Sequence, residues 1–293
     1  MPGWSTVADM VSELEITGKL GEINFHRVTA FNTASQVGYA IELLQGTGQP
    51  TGVTFSGTAG VATSMTNSTT GALPINGNVS TDNRFLIDFQ MTTPSTGTPF
   101  VAYLCDFLIY YPNLNINATP TTLDNTVTLP RYTNGIGVQA IVTVTTTLAT
   151  TTPTLTFTYT DSANNSTTGA ITAVATANAN RPSTLWTVNQ GGTGANLGPF
   201  IPMGSTGQGI KHLDSYTIAS GTSTGAVTAL LVKPLMAIPV TTTGVAQEKD
   251  MVFQFPSFPK IVDGACLGII LVSSGGSFNT NDIFKGRIRY GWG

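Results

Sequence analysis

Charge is what this sequence has least of. Asp, Glu, Lys and Arg together make up 9% of the 293 residues, against roughly 25% in ordinary soluble domains. With 12 Lys and Arg against 15 Asp and Glu, the net charge is −3. No basic footprint is left for the counterion release that drives nucleic-acid binding, so no direct nucleic-acid partner is expected. Cysteine is almost absent as well. Cys105 and Cys266 are too few for a disulfide scaffold, and both sit inside apolar runs that read as buried free thiols. No apolar run reaches the ~18 residues of a membrane helix, so no membrane span is expected. The opening Met1-Pro2-Gly3-Trp4 lacks a basic region followed by an apolar stretch. A secretory signal is therefore not expected, and the chain reads as one made in the cytoplasm and soluble until assembled.

What replaces charge is threonine, about one residue in six, together with 32 Gly and 16 Pro. Threonine is β-branched and stiff at its first torsion, which suits a pleated strand better than a helix. A surface of hydroxyls has little electrostatic self-repulsion and can pack densely against copies of itself or a partner. Hydrophobic residues, at 41%, suffice for a substantial core.

One short helix is predicted near the start. Ser5 or Thr6 can cap a turn or two carrying Val7, Met10, Val11 and Leu14, ending before Gly18. It reads either as an arm that docks on a neighbouring subunit or as a local cap. Beyond it the hydrophobic period is two. Phe85, Ile87 and Phe89 alternate with Leu86, Asp88 and Gln90 in a half-buried strand. Residues 100–111 are nearly all apolar, as in a strand covered on both faces, with Pro112 expected to stop it. Val138, Ala140, Val142 and Val144 mark the next strand. Leu155, Phe157 and Tyr159 alternate strictly with Thr154, Thr156, Thr158 and Thr160, and the composition of 161–169 reads as a loop before a strand over 170–176. Further strands are predicted at 215–218, 226–234, 251–255, 267–273 and 283–292. The last puts Lys285, Arg287 and Arg289 on one face and Phe284, Ile288, Tyr290 and Trp292 on the other.

Many short strands with close turn signals predict an all-β, antiparallel β-sandwich. A jelly-roll is the preferred version, preceded by an N-terminal arm over 1–40, with the sandwich region spanning 41–293. That region reads as one composite domain, or as two with a boundary near 178–198, where Asn, Gly and Thr dominate.

Catalytic constellations are not evident. His26 and His212 are isolated, no CxxC or HExxH occurs, and the Gly-rich runs at 46–48 and 191–194 lack a Walker lysine. Asp161-Ser-Ala-Asn-Asn165 lacks the spacing and terminal Glu of a calcium loop. Asp88 and Asp106, in neighbouring predicted strands, have the residue types of a glycosidase pair. A buried Asp106 needs a cation, however, and Arg84 or Arg131 supplies one in a structural ion pair. The chain therefore reads as non-enzymatic, with no cofactor and no metal. The Pro-interrupted segment containing Phe253, Phe255 and Phe258 cannot pair as a central strand. It reads as a candidate partner contact, or as a closure of its own sandwich. Trp186, beside Pro182, is the remaining candidate contact and the best platform for stacking on a sugar.

Five runs carry a family resemblance. They are Leu104-Cys-Asp-Phe-Leu-Ile-Tyr-Tyr-Pro112, Leu123-Asp-Asn-Thr-Val-Thr-Leu-Pro-Arg-Tyr-Thr-Asn-Gly-Ile-Gly-Val138, Lys233-Pro-Leu-Met-Ala-Ile-Pro239, Phe255-Pro-Ser-Phe-Pro-Lys-Ile-Val-Asp-Gly264 and Arg289-Tyr-Gly-Trp-Gly293. Across residues 100–293 the chain resembles structural proteins of tailed-bacteriophage virions. The resemblance implies a virion component. The preferred expectation is a capsid decoration or cement protein that contacts the major capsid protein or other virion proteins and self-associates as a dimer or trimer. A tail, collar or fibre-base protein and a carbohydrate- or receptor-binding β-module are the alternatives.

Overall fold

The computed structural model describes residues 4, 6–29, 39–75, 77–79, 82–95, 97–116, 121–148, 154–172, 183–185, 198–201, 207–219, 224–254, 258–275, 277–279 and 281–293, with backbone only at 170–172, 219, 253 and 254. The chain starts with α1 (Val7–Val11), which continues as a π-helical turn over Ser12–Ile16. Strands follow as β1 (Leu20–Val28), β2 (Ala40–Glu42), β3 (Thr47–Gln49), β4 (Thr63–Ser64), β5 (Arg84–Thr92), β6 (Phe100–Asn115), β7 (Thr121–Thr122), β8 (Gln139–Thr146) and β9 (Thr154–Asp161). Next come β10 (Ser166–Thr172), β11 (Thr184–Leu185), β12 (Ile210–Ala219), β13 (Ala226–Val240), β14 (Gln247–Asp250), the short helix α2 (Met251–Gln254), β15 (Lys260–Ile261), β16 (Cys266–Ser273) and β17 (Ile283–Trp292).

The fold is organised by two long strands. β6 and β13 pair antiparallel along almost their whole length, from Ala226↔Asn115 to Val240↔Phe100. On its other edge β13 pairs with β8, and β8 meets β11 through Leu185↔Thr143. β11 pairs with β2, β2 with β16, and β16 returns to β6. The six strands thus close into a barrel, which removes open edges. Side chains turned inward, among them Cys105, Phe107, Ile141, Leu230, Val232, Cys266 and Ile270, form one core with Phe55, Met65 and Ala72 from the loops that plug it.

Each flank of the barrel carries another sheet. One has the order β14-β5-β17-β1-β3, with β15 sharing the β5 edge. Its Phe25, Leu86, Phe89, Phe284 and Ile288 pack on Phe100, Ala102 and Leu104 of β6, Ile238 of β13 and Ile269 of β16. The second, β10-β9-β12-β7, lays Leu155, Phe157, Tyr159 and Leu213 on Leu108 and Leu114 of β6, Val142 of β8 and Ala229 of β13. Bulges let the long strands serve both flanks. One sits at Leu108, opposite the Leu231–Val232 step, where the outward face of β6 passes from one outer core to the other.

The all-β, antiparallel expectation matches this architecture. The pairings establish a barrel flanked by two sheets, and no jelly-roll order follows from them. Five local expectations are corrected. Pro112 does not end β6, because it falls with Asn113 (φ 53°) in a bulge between Val227↔Leu114 and Ala229↔Tyr111, where its missing N–H leaves no ladder bond vacant. β13 likewise runs past Pro234 to Val240, at a third bulge of the same ladder. The loop assigned to 161–169 shortens, because Asp161 ties the chain back by accepting from Ala163 N and Asn165 N, both at 2.8 Å, and Ser166 already pairs with Thr160. Met251–Gln254 forms α2 and not a strand, with the Asp250 carboxylate accepting from Val252 N at 2.7 Å. Leu20–Val28, within the stretch set apart as an arm, is a full strand whose nine residues pair with β17.

Candidate partner-docking surface

The aromatic candidates separate once the chain is folded. Phe258 is 8% exposed and belongs to the first flank core. Its ring lies edge-on to Trp4 at 6.1 Å and near Phe85 at 6.5 Å, so here the Pro-interrupted segment covers its own sheet. Trp4 is itself 1% exposed. Trp292 is half-buried beside Tyr290. Trp186, Phe255 and the Phe253 side chain lie outside the described residues.

The acids singled out in the sequence hold structure together. Asp106 receives two parallel bonds from Arg131, Nε to Oδ2 at 2.8 Å and Nη2 to Oδ1 at 2.7 Å. Cys266 N donates to the same carboxylate at 2.9 Å, and Arg131 also reaches Met65 O and Phe107 O. Asp88 lies in the other sheet, not beside Asp106. It is bonded to Arg289 and has Arg287 at 3.9 Å, while Glu248 lies 3.5 Å from Arg289. Burial pushes the Asp88 carboxyl up, and the Arg289 bond opposes this. The basic face of β17 therefore spends Arg287 and Arg289 on this cluster. Arg84 turns to Asp263 at 3.4 Å and to Gly77 O.

Glu42 projects into the barrel and is 1% exposed. It accepts from Gln45 N and from Thr143 Oγ1 at 3.2 Å, and burial raises its pKa against those bonds. Burial also pushes both thiols up, which keeps Cys105 and Cys266 protonated and inert. His212 Nδ1 lies 2.7 Å from Asp214 Oδ1, and Asp214 Oδ2 accepts from Thr160 at 3.0 Å. No cluster of three or more metal-ligating side chains occurs among the described residues.

The surface that stands apart is apolar and surrounds α1. Thr6 caps this helix by accepting from Asp9 N at 3.0 Å, and Gly18 (φ 71°) ends the helical stretch. Met10 and Leu14 pack inward against the first flank core. Val7 and Val11, one turn apart, are left 51% and 43% exposed, and Ile16 and Leu20 are 81% and 42% exposed. Between α1 and the β14–α2 corner lies a groove of about 390 Å³. Val7, Met10, Val11 and Leu14 form one wall, Asp250 and Val252 the other, with Ile87 and Arg289 between them and Leu20 and Glu15 also lining it.

This arrangement has no nucleophile and no positioned acid–base pair; it offers aliphatic contact with charge at its margin. An exposed apolar patch rimmed by polar groups is the usual mark of a binding surface. Nothing in the sequence pointed to the groove as such, because its two walls come from opposite ends of the chain. Comparison of this chain with protein-family models, curated proteins and solved structures returns no match.

Proposed function

We propose that this chain is a non-catalytic assembly subunit of a tailed-phage particle, acting as a capsid decoration protein that binds neighbouring virion proteins. The observation that carries the assembly role is the aliphatic patch of Val7, Val11, Ile16 and Leu20 beside the groove. Among the described residues four of the six exposed large hydrophobics belong to this N-terminal stretch, Ile136 and Val245 lying elsewhere. Such a concentration of exposed aliphatics favours a contact made in an assembly. The use of Asp106, Asp88 and Glu42 in internal ties supports a structural reading over a hydrolase. The phage setting rests on the resemblance across residues 100–293. A tail, collar or fibre-base position is the second reading within the same particle.

Copy counting by quantitative mass spectrometry on purified tailed particles tests this. Hundreds of copies per particle are expected. A dozen or fewer moves the protein to the tail or neck, and absence from particles overturns the assignment.

A further inference from the structure

We propose that the groove between α1 and the β14–α2 corner binds a short segment of a partner protein in which aliphatic side chains are flanked by lysine or arginine. This rests on the assembly reading above and adds the chemistry of the partner.

The walls dictate half of that chemistry. Among the described residues, Val7, Met10, Val11, Leu14, Leu20, Ile87 and Val252 give the groove an aliphatic lining. At about 390 Å³ the groove lies at the small end of ligand clefts, which run from roughly 300 to 1,000 Å³. It has room for a few side chains and none for a globular surface. Ile16, at the end of the π-helical turn that follows α1, is a further exposed aliphatic outside the groove lining.

The rim dictates the other half. Its charged groups are Glu15, Asp250 and Arg289. Arg289 is already committed to Asp88 and lies near Glu248. Of the neighbouring cations, Lys19 is held by Glu13 and Asp82, and Lys249 donates to Ala237 O. Glu15 and Asp250 have no ion pair among the described residues, so the rim presents uncompensated negative charge. A basic residue beside each aliphatic anchor would complement it and speed the encounter.

The same charges argue against a second copy of this chain as occupant. A twofold contact through α1 is isologous and would bring the acidic Asp9 and Glu15 of one copy close to the same acidic surface of the other. Like charges facing each other in an interface oppose it. The complementary surface therefore belongs to a different protein.

Fluorescence anisotropy with the full chain tests the proposal, using labelled nine-residue peptides of alternating leucine and lysine, leucine and glutamate, or serine and lysine. The leucine–lysine peptide is expected to bind, and the other two to bind at least about tenfold more weakly. The exposed-site variants Glu15→Lys and Val7→Ser/Val11→Ser, checked for unchanged thermal midpoints, are each expected to weaken it by a similar factor. Equal binding of the three peptides, or binding indifferent to Glu15→Lys, overturns the proposal. A wild-type dimer in light scattering that Val7→Ser/Val11→Ser dissolves also overturns it, by assigning the groove to a second copy. The two readings fail separately. Incorporation into particles without peptide selectivity removes the partner chemistry alone, whereas peptide selectivity in a protein absent from particles removes only the virion role.

Discussion

At the scale of single residues, a sparsely charged chain has placed several of its charges where they are costly. Asp106 and Arg131 are 0% and 6% exposed, and every oxygen of that carboxylate has a donor. Removing one member of such a pair leaves the other buried and uncompensated, at a cost of about 3–5 kcal/mol. Arg131→Met is expected to lose that much in urea denaturation, whereas Asp106→Leu/Arg131→Met together should recover most of it. A loss below about 1 kcal/mol for the single variant would show that water reaches the carboxylate. Glu42 is the complementary case, an acid whose direct bonding partners are neutral groups. Burial raises its folded pKa above the unfolded value, so the folded state holds its proton more tightly. Its contribution is therefore fully present below the ordinary glutamate range near 4.3 and is lost as pH rises through the raised value. Glu42→Gln removes that titration. The stability of the variant relative to wild type is expected to increase as pH is raised from about 4 to 8. A difference that stays flat with pH would mean that the carboxyl titrates alike in both states.

At the scale of elements, what could be read in the sequence was whatever its local pattern determines. The strict alternation of 154–160 is β9, the apolar face of 283–292 is β17, and the Thr6 cap and Gly18 bound the N-terminal helical stretch. Some of the misread places are those where a long-range partner sets the local geometry. Pro112 and Pro234 look like stops, yet each falls at a bulge in the ladder between β6 and β13, strands more than a hundred residues apart. The apolar run Met251–Phe255 resembles a strand, but Asp250 closes a turn at its start. Phe258, which the sequence leaves between a partner contact and a closure of its own sandwich, packs here against Trp4 and Phe85. The pairing of Asp106 with a nearby arginine was legible, since burial of an acid demands a cation, and Arg131 is the one that geometry selects. The groove was not legible, because Ile87, Asp250, Val252 and Arg289 join α1 only after the sheet has formed.

At the scale of the whole molecule, the connectivity makes the barrel and its two flanking sheets interdependent. β6 lies before the Asn/Gly/Thr-rich stretch 178–198 and β13 after it, and their mutual ladder is the longest in the fold. The first flank sheet is stitched the same way, with β17 inserted between β1 and β5. The second is too, since β9 and β12 pair across the same stretch. All three hydrophobic cores therefore draw side chains from both sides of it. A boundary there would leave each half with exposed strand edges and half-built cores, and neither half would bury enough apolar surface to offset its chain entropy. Scanning calorimetry of the full chain is accordingly expected to show one unfolding transition, with calorimetric and van't Hoff enthalpies in agreement. Residues 1–178 and 198–293, expressed separately, should each lack cooperative melting. Two resolved transitions in the full chain, or a fragment that melts cooperatively alone, would show that one sheet and its core stand without the shared strands.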